Sequence, residues 1–230
     1  MTQAGTGHDI DHDGRLMSRW QRGWGQSRRF PPPVHVDGGL VVHIGEPGRE
    51  VEYIALTTAT AVHRSLAALA ARAHGSWLTA PTRDRGTTAA IAEQAGLELS
   101  GPEWLMSRTL DGHPGAELAH GYQIEVEHDA GVLVAEVFAT DGSLAAQGRI
   151  AVRGTDAVAD QFHTAPTHRR RGLGRTVMAA LVDEARRRGA HTGLLIASPD
   201  GRRLYDALGW RTVADIVVAT RPRGSAGPLE

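Results

Sequence analysis

The stretch Thr164 to Val177, TAPTHRRRGLGRTV, sets Arg169, Arg170, Arg171 and Arg175 around Gly172 and Gly174. An anion with several oxygens needs this combination. Guanidinium forks donate paired hydrogen bonds, and glycine removes the side chain that would hold the anion off the backbone. An extended run, 156–164, precedes the glycines and an amphipathic helical pattern follows them, so the stretch reads as strand, loop and helix start. The first amides of a helix lack intrahelical acceptors and sit at the positive end of its dipole, which makes this loop an anion cradle. Its spacing is R-x-x-G-x-G. It lacks the GK[ST] ending of a Walker loop, and Val177 or Met178 stands where a dinucleotide loop needs its third glycine.

With 41% apolar residues in 230, the chain can bury one large core or two small ones. A formal charge of −1 gives no global attraction to nucleic acid or anionic membrane, so the arginines near position 170 are a local feature and nucleic acid is not the expected partner. Absence of cysteine excludes disulfides, thiolate metal sites and a cysteine nucleophile. No apolar run approaches the ~20 residues that span a bilayer. The start, MTQAGTGHDIDHDGR, has no signal-peptide core, and a cytoplasmic protein is expected. Asp9, Asp11, Asp13 and Gly14 imitate a calcium loop, but its twelfth position is Trp20 instead of glutamate; a solvated tail over 1–14 is expected. His113, His120 and His128 have no ligand spacing, so no metal is expected.

The elements that must position the loop follow from periodicity. Leu16, Trp20 and Trp24 repeat at helical spacing among arginines, which suggests a short docking helix or an arm for an acidic partner, followed by the spacer Pro31 to Pro33. Strands are expected at 40–44, 51–56, 77–80 and 104–110, and helices at 60–74 and 85–95. The second half reads as strands at 122–127, 131–138, 144–152 and 157–164, a helix at 173–188, a strand at 193–197, a helix at 200–208 and a strand at 212–219. A faint repeat aligns Trp77 to Leu110 with Leu195 to the last strand, and only the second copy has the glycine loop. The strand alternation puts Asp160, Phe162 and Thr164 on one face and His163, read as a packed residue, on the other. The expected division is a tail and docking arm over 1–29, a half without the loop over 30–110, a loop-bearing domain over 111–221 and a tail over 222–230.

Phe162-His163-Thr164, Pro166, RRRGLG and LYDALGW at 204–210 stand in the order and spacing of the GCN5-related N-acetyltransferase (GNAT) superfamily, which the segment Tyr122 to Arg221 resembles. The resemblance implies an α/β (α+β) fold with a mixed, mostly antiparallel sheet flanked by helices, in a tandem arrangement with a degenerate GNAT-like first half. It implies acetyl-CoA as acyl donor. The pyrophosphate would lie on Arg169, Arg170, Arg171, Gly172, Leu173, Gly174 and Arg175, and the pantetheine arm along Phe162, His163 and Thr164. Tyr205 takes the place of a frequent general acid, and Ser198 stands where an asparagine is common. Asp160 lies where the family often places a base; the other reading is a carboxylate that positions the loop arginines. Tyr205 also has a second reading, a packed ring with a satisfied hydroxyl.

Between Tyr122 and Val152 there is no room for the two helices that usually wall the family's acceptor site, so another segment must do so, with Trp20, Trp24 and Trp104 as candidates. The expected function is an acetyltransferase acting on an amine of a small molecule or peptide, as a monomer or homodimer without a membrane partner. The alternative is a non-catalytic module that binds acetyl-CoA.

Overall fold

The computed structural model describes residues 12–221. The calcium-like aspartates 9 and 11 and the tail from Pro222 lie outside the described residues. Asp13 and Gly14 do not form a tail: they are buried in helix α1 (His12–Arg28), where Asp13 pairs with Arg83 at 2.7 Å. The chain then runs through β1 (Val34–Val36), β2 (Gly39–Glu46), β3 (Arg49–Ala55), α2 (Thr60–Ala70), β4 (Ser76–Thr82), α3 (Arg85–Gln94), β5 (Glu98–Leu99) and β6 (Glu103–Thr109). The hairpin strands β7 (Tyr122–Asp129), β8 (Val132–Ala139), β9 (Leu144–Arg153) and β10 (Asp156–Thr164) follow. A 3-10 turn (Pro166–His168), α4 (Leu173–Arg187), β11 (Thr192–Ala197), α5 (Pro199–Ala207) and β12 (Arg211–Thr220) complete it. No helix of the described residues is long and apolar enough to cross a membrane.

The chain forms two compact units. One holds Phe30–Leu105 together with the start of α1 and the chain from Ala214; the other holds Arg19–Arg29 and Met106–Val213. In the first, the sheet order is β1-β2-β3-β4-β12, with β3 and β4 parallel across α2 and with Asp215–Thr220 antiparallel to Trp77–Thr82. Val62, Leu66 and Ala70 of α2 and Ile91 of α3 recur at helical spacing and bury Leu78, Ala80 and Ala219. The closing strand of this sheet comes from the C-terminus, while the part of β6 from Met106 belongs to the second unit.

The second unit has the order β6-β11-β10-β9-β8-β7, a mixed and mostly antiparallel sheet in which β10 and β11 are the parallel pair. Helix α4 connects them and packs on β8, β9 and β10. Leu173, Val177, Met178, Leu181, Val182 and Ala185 are all buried, as the 3.6-residue period requires. Under α4, β8 alternates between fully buried Leu133, Ala135 and Val137 and half-buried Val134 and Glu136 on the opposite face.

That opposite face receives the second part of α1. Arg19 pairs with Asp156, Gly23 meets Val158, and Ser27 and Arg28 meet Asp160. Four residues of helix rise about 6 Å and two residues of strand about 6.6 Å, so the i, i+4 row of α1 stays in step with alternate residues of β10. Trp20 and Trp24 stack at 5.1 Å and are buried, so the spacing read as a docking helix is realised within a longer one.

A Cβ on Gly23 would lie 2.3 Å from Val158 Cγ2, whereas one on Gly25 would meet only Gln21 Nε2 at 3.4 Å. Gly→Ala inside a helix normally stabilises by about 0.5–1 kcal/mol. Denaturant unfolding should show that gain for Gly25→Ala. It should show the reverse sign for Gly23→Ala, a loss of about 1–3 kcal/mol from overpacking.

Candidate functional site

Strands β10 and β11 begin as a parallel ladder, but their pairing runs only from Asp156↔Thr192 to Val158↔Leu194. Beyond it, β10 stays paired to β9 alone, through Asp160↔Arg149, His163↔Gln147 and Thr164↔Ala146. Two residues, Gln161 and Phe162, therefore stand against Gly148, and Gln161 has φ +54°. This bulge bends β10 away from β11 and opens the sheet on the side where the backbone of 160–164 has lost its partner.

The bulge corrects one expectation. An extra residue reverses the alternation, so Asp160 shares its face with His163, not with Phe162 and Thr164. His163 is exposed there instead of packed. Phe162 and Thr164 point to the α4 face. A Cβ on Gly148 would sit 2.8 Å from the Phe162 ring, and one on Gly174 would sit 3.7 Å from Thr164 Oγ1 and 3.2 Å from Leu204.

The arginine-glycine loop lies at the mouth of the opening. Gly172 is the N-cap of α4 in the left-handed region at φ +79°, and Arg170 is also left-handed at φ +65°. The carbonyl of Gly172 accepts from the amides of Arg175 and Thr176 at 2.9 and 3.1 Å. Ahead of these, the amides of Gly172, Leu173 and Gly174 have no backbone acceptor among the described residues, which leaves them for an anion. Arg169 donates to Thr164 O at 3.2 Å and Arg171 to Thr167 O at 3.5 Å; all four loop arginines are exposed. His168 is tied to β7 by a 2.9 Å hydrogen bond with the Tyr122 hydroxyl, a partner the sequence did not single out.

Tyr205 comes up beside the opening from α5. Its ring is buried edge-on to Phe162 at 6.3 Å and tilted against Trp210 at 6.1 Å. Among the described residues its hydroxyl has no protein hydrogen-bond partner, although the ring is packed. Burial, and secondarily the charge of Asp160, push its pKa well above the ordinary phenol value. Ser198 caps α5, accepting from Gly201 N at 3.3 Å.

Asp160 does not touch the loop arginines. Arg28 grips it with Nε at 2.5 Å and Nη2 at 3.1 Å, and Ser27 Oγ donates at 3.3 Å. Arg28 and Ser27 escaped sequence reading because their partner is more than 130 residues away; Gly23 and Ser27, small residues one helical turn apart, are the signal for a close helix-on-strand contact. Among the described residues no group of three or more His, Asp or Glu side chains is placed to hold a metal ion.

Residues 101–210 match the Acetyltransferase (GNAT) family. Over this segment the chain is similar to the GNAT family, a match of 110 of its 230 residues. The fold is shared with a GCN5-related N-acetyltransferase from Kribbella flavida, at 18% identity and TM-score 0.69, over 96% of this chain and 100% of that one. A tandem GNAT protein from the clavulanic acid biosynthesis pathway is similar at 16% identity and TM-score 0.55, over 94% of each chain. A GCN5-related N-acetyltransferase from Sphaerobacter thermophilus gives 13% identity and TM-score 0.58 over 79% of this chain and 76% of that one. No curated protein matches the sequence.

A phenol kept neutral by the fold stabilises the folded state below the ordinary tyrosine pKa of about 10, and that contribution is lost as pH rises from there through the higher folded value. Of the three tyrosines, Tyr205 should be the last to ionise in an absorbance titration. Tyr205→Phe should remove that step and flatten the fall of stability above about pH 10.

Proposed function

We propose that the protein transfers an acetyl group from acetyl-CoA to an amine of a small molecule or peptide. The observation that carries this reading is the meeting of three features at one opening: free amides at the start of α4, the unpaired edge of β10, and a Tyr205 hydroxyl with no protein partner among the described residues. The amides of Gly172, Leu173 and Gly174, with the arginines from Arg169 to Arg175, hold the pyrophosphate. Backbone groups of Phe162, His163 and Thr164 pair with the pantetheine arm as a strand partner does. Ser198, committed as a helix cap, offers its surface and little more.

The amine nitrogen attacks the thioester carbonyl, the C–N bond forms, the C–S bond breaks, and the nitrogen loses a proton. Tyr205, neutral throughout the physiological range, supplies the proton that the leaving thiolate takes up. Asp160 is a positioning residue: its carboxylate is spent on Arg28 and Ser27 and fixes α1 on the sheet, and water receives the proton of the amine.

An amine panel assayed by thiol release from acetyl-CoA tests the function, with Gly174→Glu as the dead-loop control. CoA binding with no thiol release on any amine would favour a non-catalytic module. Tyr205→Phe should lower kcat by about 10²–10⁴-fold with CoA affinity unchanged. For Asp160→Asn, the acidic limb of the kcat/KM profile should keep its shape while KM for the amine rises; loss of that limb would instead identify Asp160 as the base.

A further inference from the structure

On the sheet face opposite α4, a cavity of about 440 Å³ is lined by Ser27, Glu127, Val132, Val134 and Arg149, with Arg29 and Asp129 at its rim. Its floor follows from the strand register. Glu127 stands against Val134, Val134 against Arg149, and Arg149 against Asp160, so four neighbouring strands present these side chains in one row. Ser27 lines the cavity and also donates to Asp160, which places the cavity against the bulge of β10, where the sheet opens.

The charges in this row are unevenly matched. Arg29 pairs with Asp129, and Asp160 is taken by Arg28. Arg149, half-buried on the cavity floor, makes no hydrogen bond or ion pair among the described residues, although its cross-strand neighbour is a carboxylate. By occupying Asp160, Arg28 leaves the Arg149 fork unsatisfied. A half-buried guanidinium with all its donors open in a cavity is a receptor for a planar anion.

We infer that Arg149 binds a carboxylate of the acceptor, and hence that the acceptor is an amino acid or a compact amine bearing a carboxylate. This rests on the acetyltransferase reading given above. Arg149 stands on the strand next to β10, directly across from Asp160, so a compact acceptor whose carboxylate rests on this guanidinium keeps its amine close to the bulge. A single guanidinium flanked by Glu127 and Asp129 suits a monoanion and disfavours a phosphate dianion.

The test titrates the standard amino acids and their carboxamides into the full-length protein, with and without CoA, by calorimetry. At least one acid should bind roughly tenfold or more tightly than its amide, the size of a charge-assisted bidentate contact. Arg149→Gln should abolish that preference and Arg149→Lys retain only part of it, with the unfolding midpoint and CoA affinity unchanged. Equal binding of acids and amides, no binding of any acid, or a preference that survives Arg149→Gln overturns the inference. Failure of the underlying reading shows separately, as absence of CoA binding to the unsubstituted protein.

Discussion

One surplus residue in β10 governs the second unit. Without Gln161 in its left-handed conformation, β10 would continue its ladder with β11, and the amides at the start of α4 would face a closed sheet. The bulge ends the parallel ladder after Val158 and frees one edge of β10. It also sends Phe162 and Thr164 to the α4 face while Asp160 turns to the other. The sheet itself thereby separates two sets of groups: Phe162, Thr164 and the loop lie on one face, the row of charges on the other.

Electrostatics on the second side depend on a helix that carries none of the expected motifs. Arg28 grips Asp160 from α1 with two of its three guanidinium nitrogens, Nε and Nη2. The sheet then keeps a cation where a cross-strand ion pair would otherwise have cancelled it. Helix α1 also lies on the sheet face opposite α4 with Trp20 and Trp24 stacked and buried, while Trp104 lies under Arg85 in the first unit.

Nearly every strand and helix was legible from periodicity and from its turn residues, because each element shows its buried face to one layer. The arginine-glycine loop and the Tyr205 helix were legible for a different reason: glycine and arginine at fixed offsets report a local requirement. Three features left no such trace. Gln161 adopts a positive φ without being glycine, so no residue type marked the bulge, and the face of Asp160 was misread as a result. Short β1 and β5 lie below the length at which alternation can be seen. Helix 60–74 stops at Ala70 because Arg72, His74 and Gly75 add no further turn to its apolar stripe. Arg149 did leave a signal: in LAAQGRIAVR it and Gln147 alternate with Ala146, Gly148 and Ile150, long polar side chains on one face of an otherwise small and apolar strand.

The matched pitch of α1 and β10 also fixes the length of the helix. Removing or adding one residue between Arg19 and Arg28 would turn one end against the other by about 100°. Either Asp156 or Asp160 would then lose its arginine, and a bulkier side chain would swing into the place of Gly23 over Val158. Substitutions on the outer face of this helix can drift freely, but its residue count between the two aspartate contacts cannot, so related chains that keep both aspartates should keep the interval from Arg19 to Arg28 without gaps.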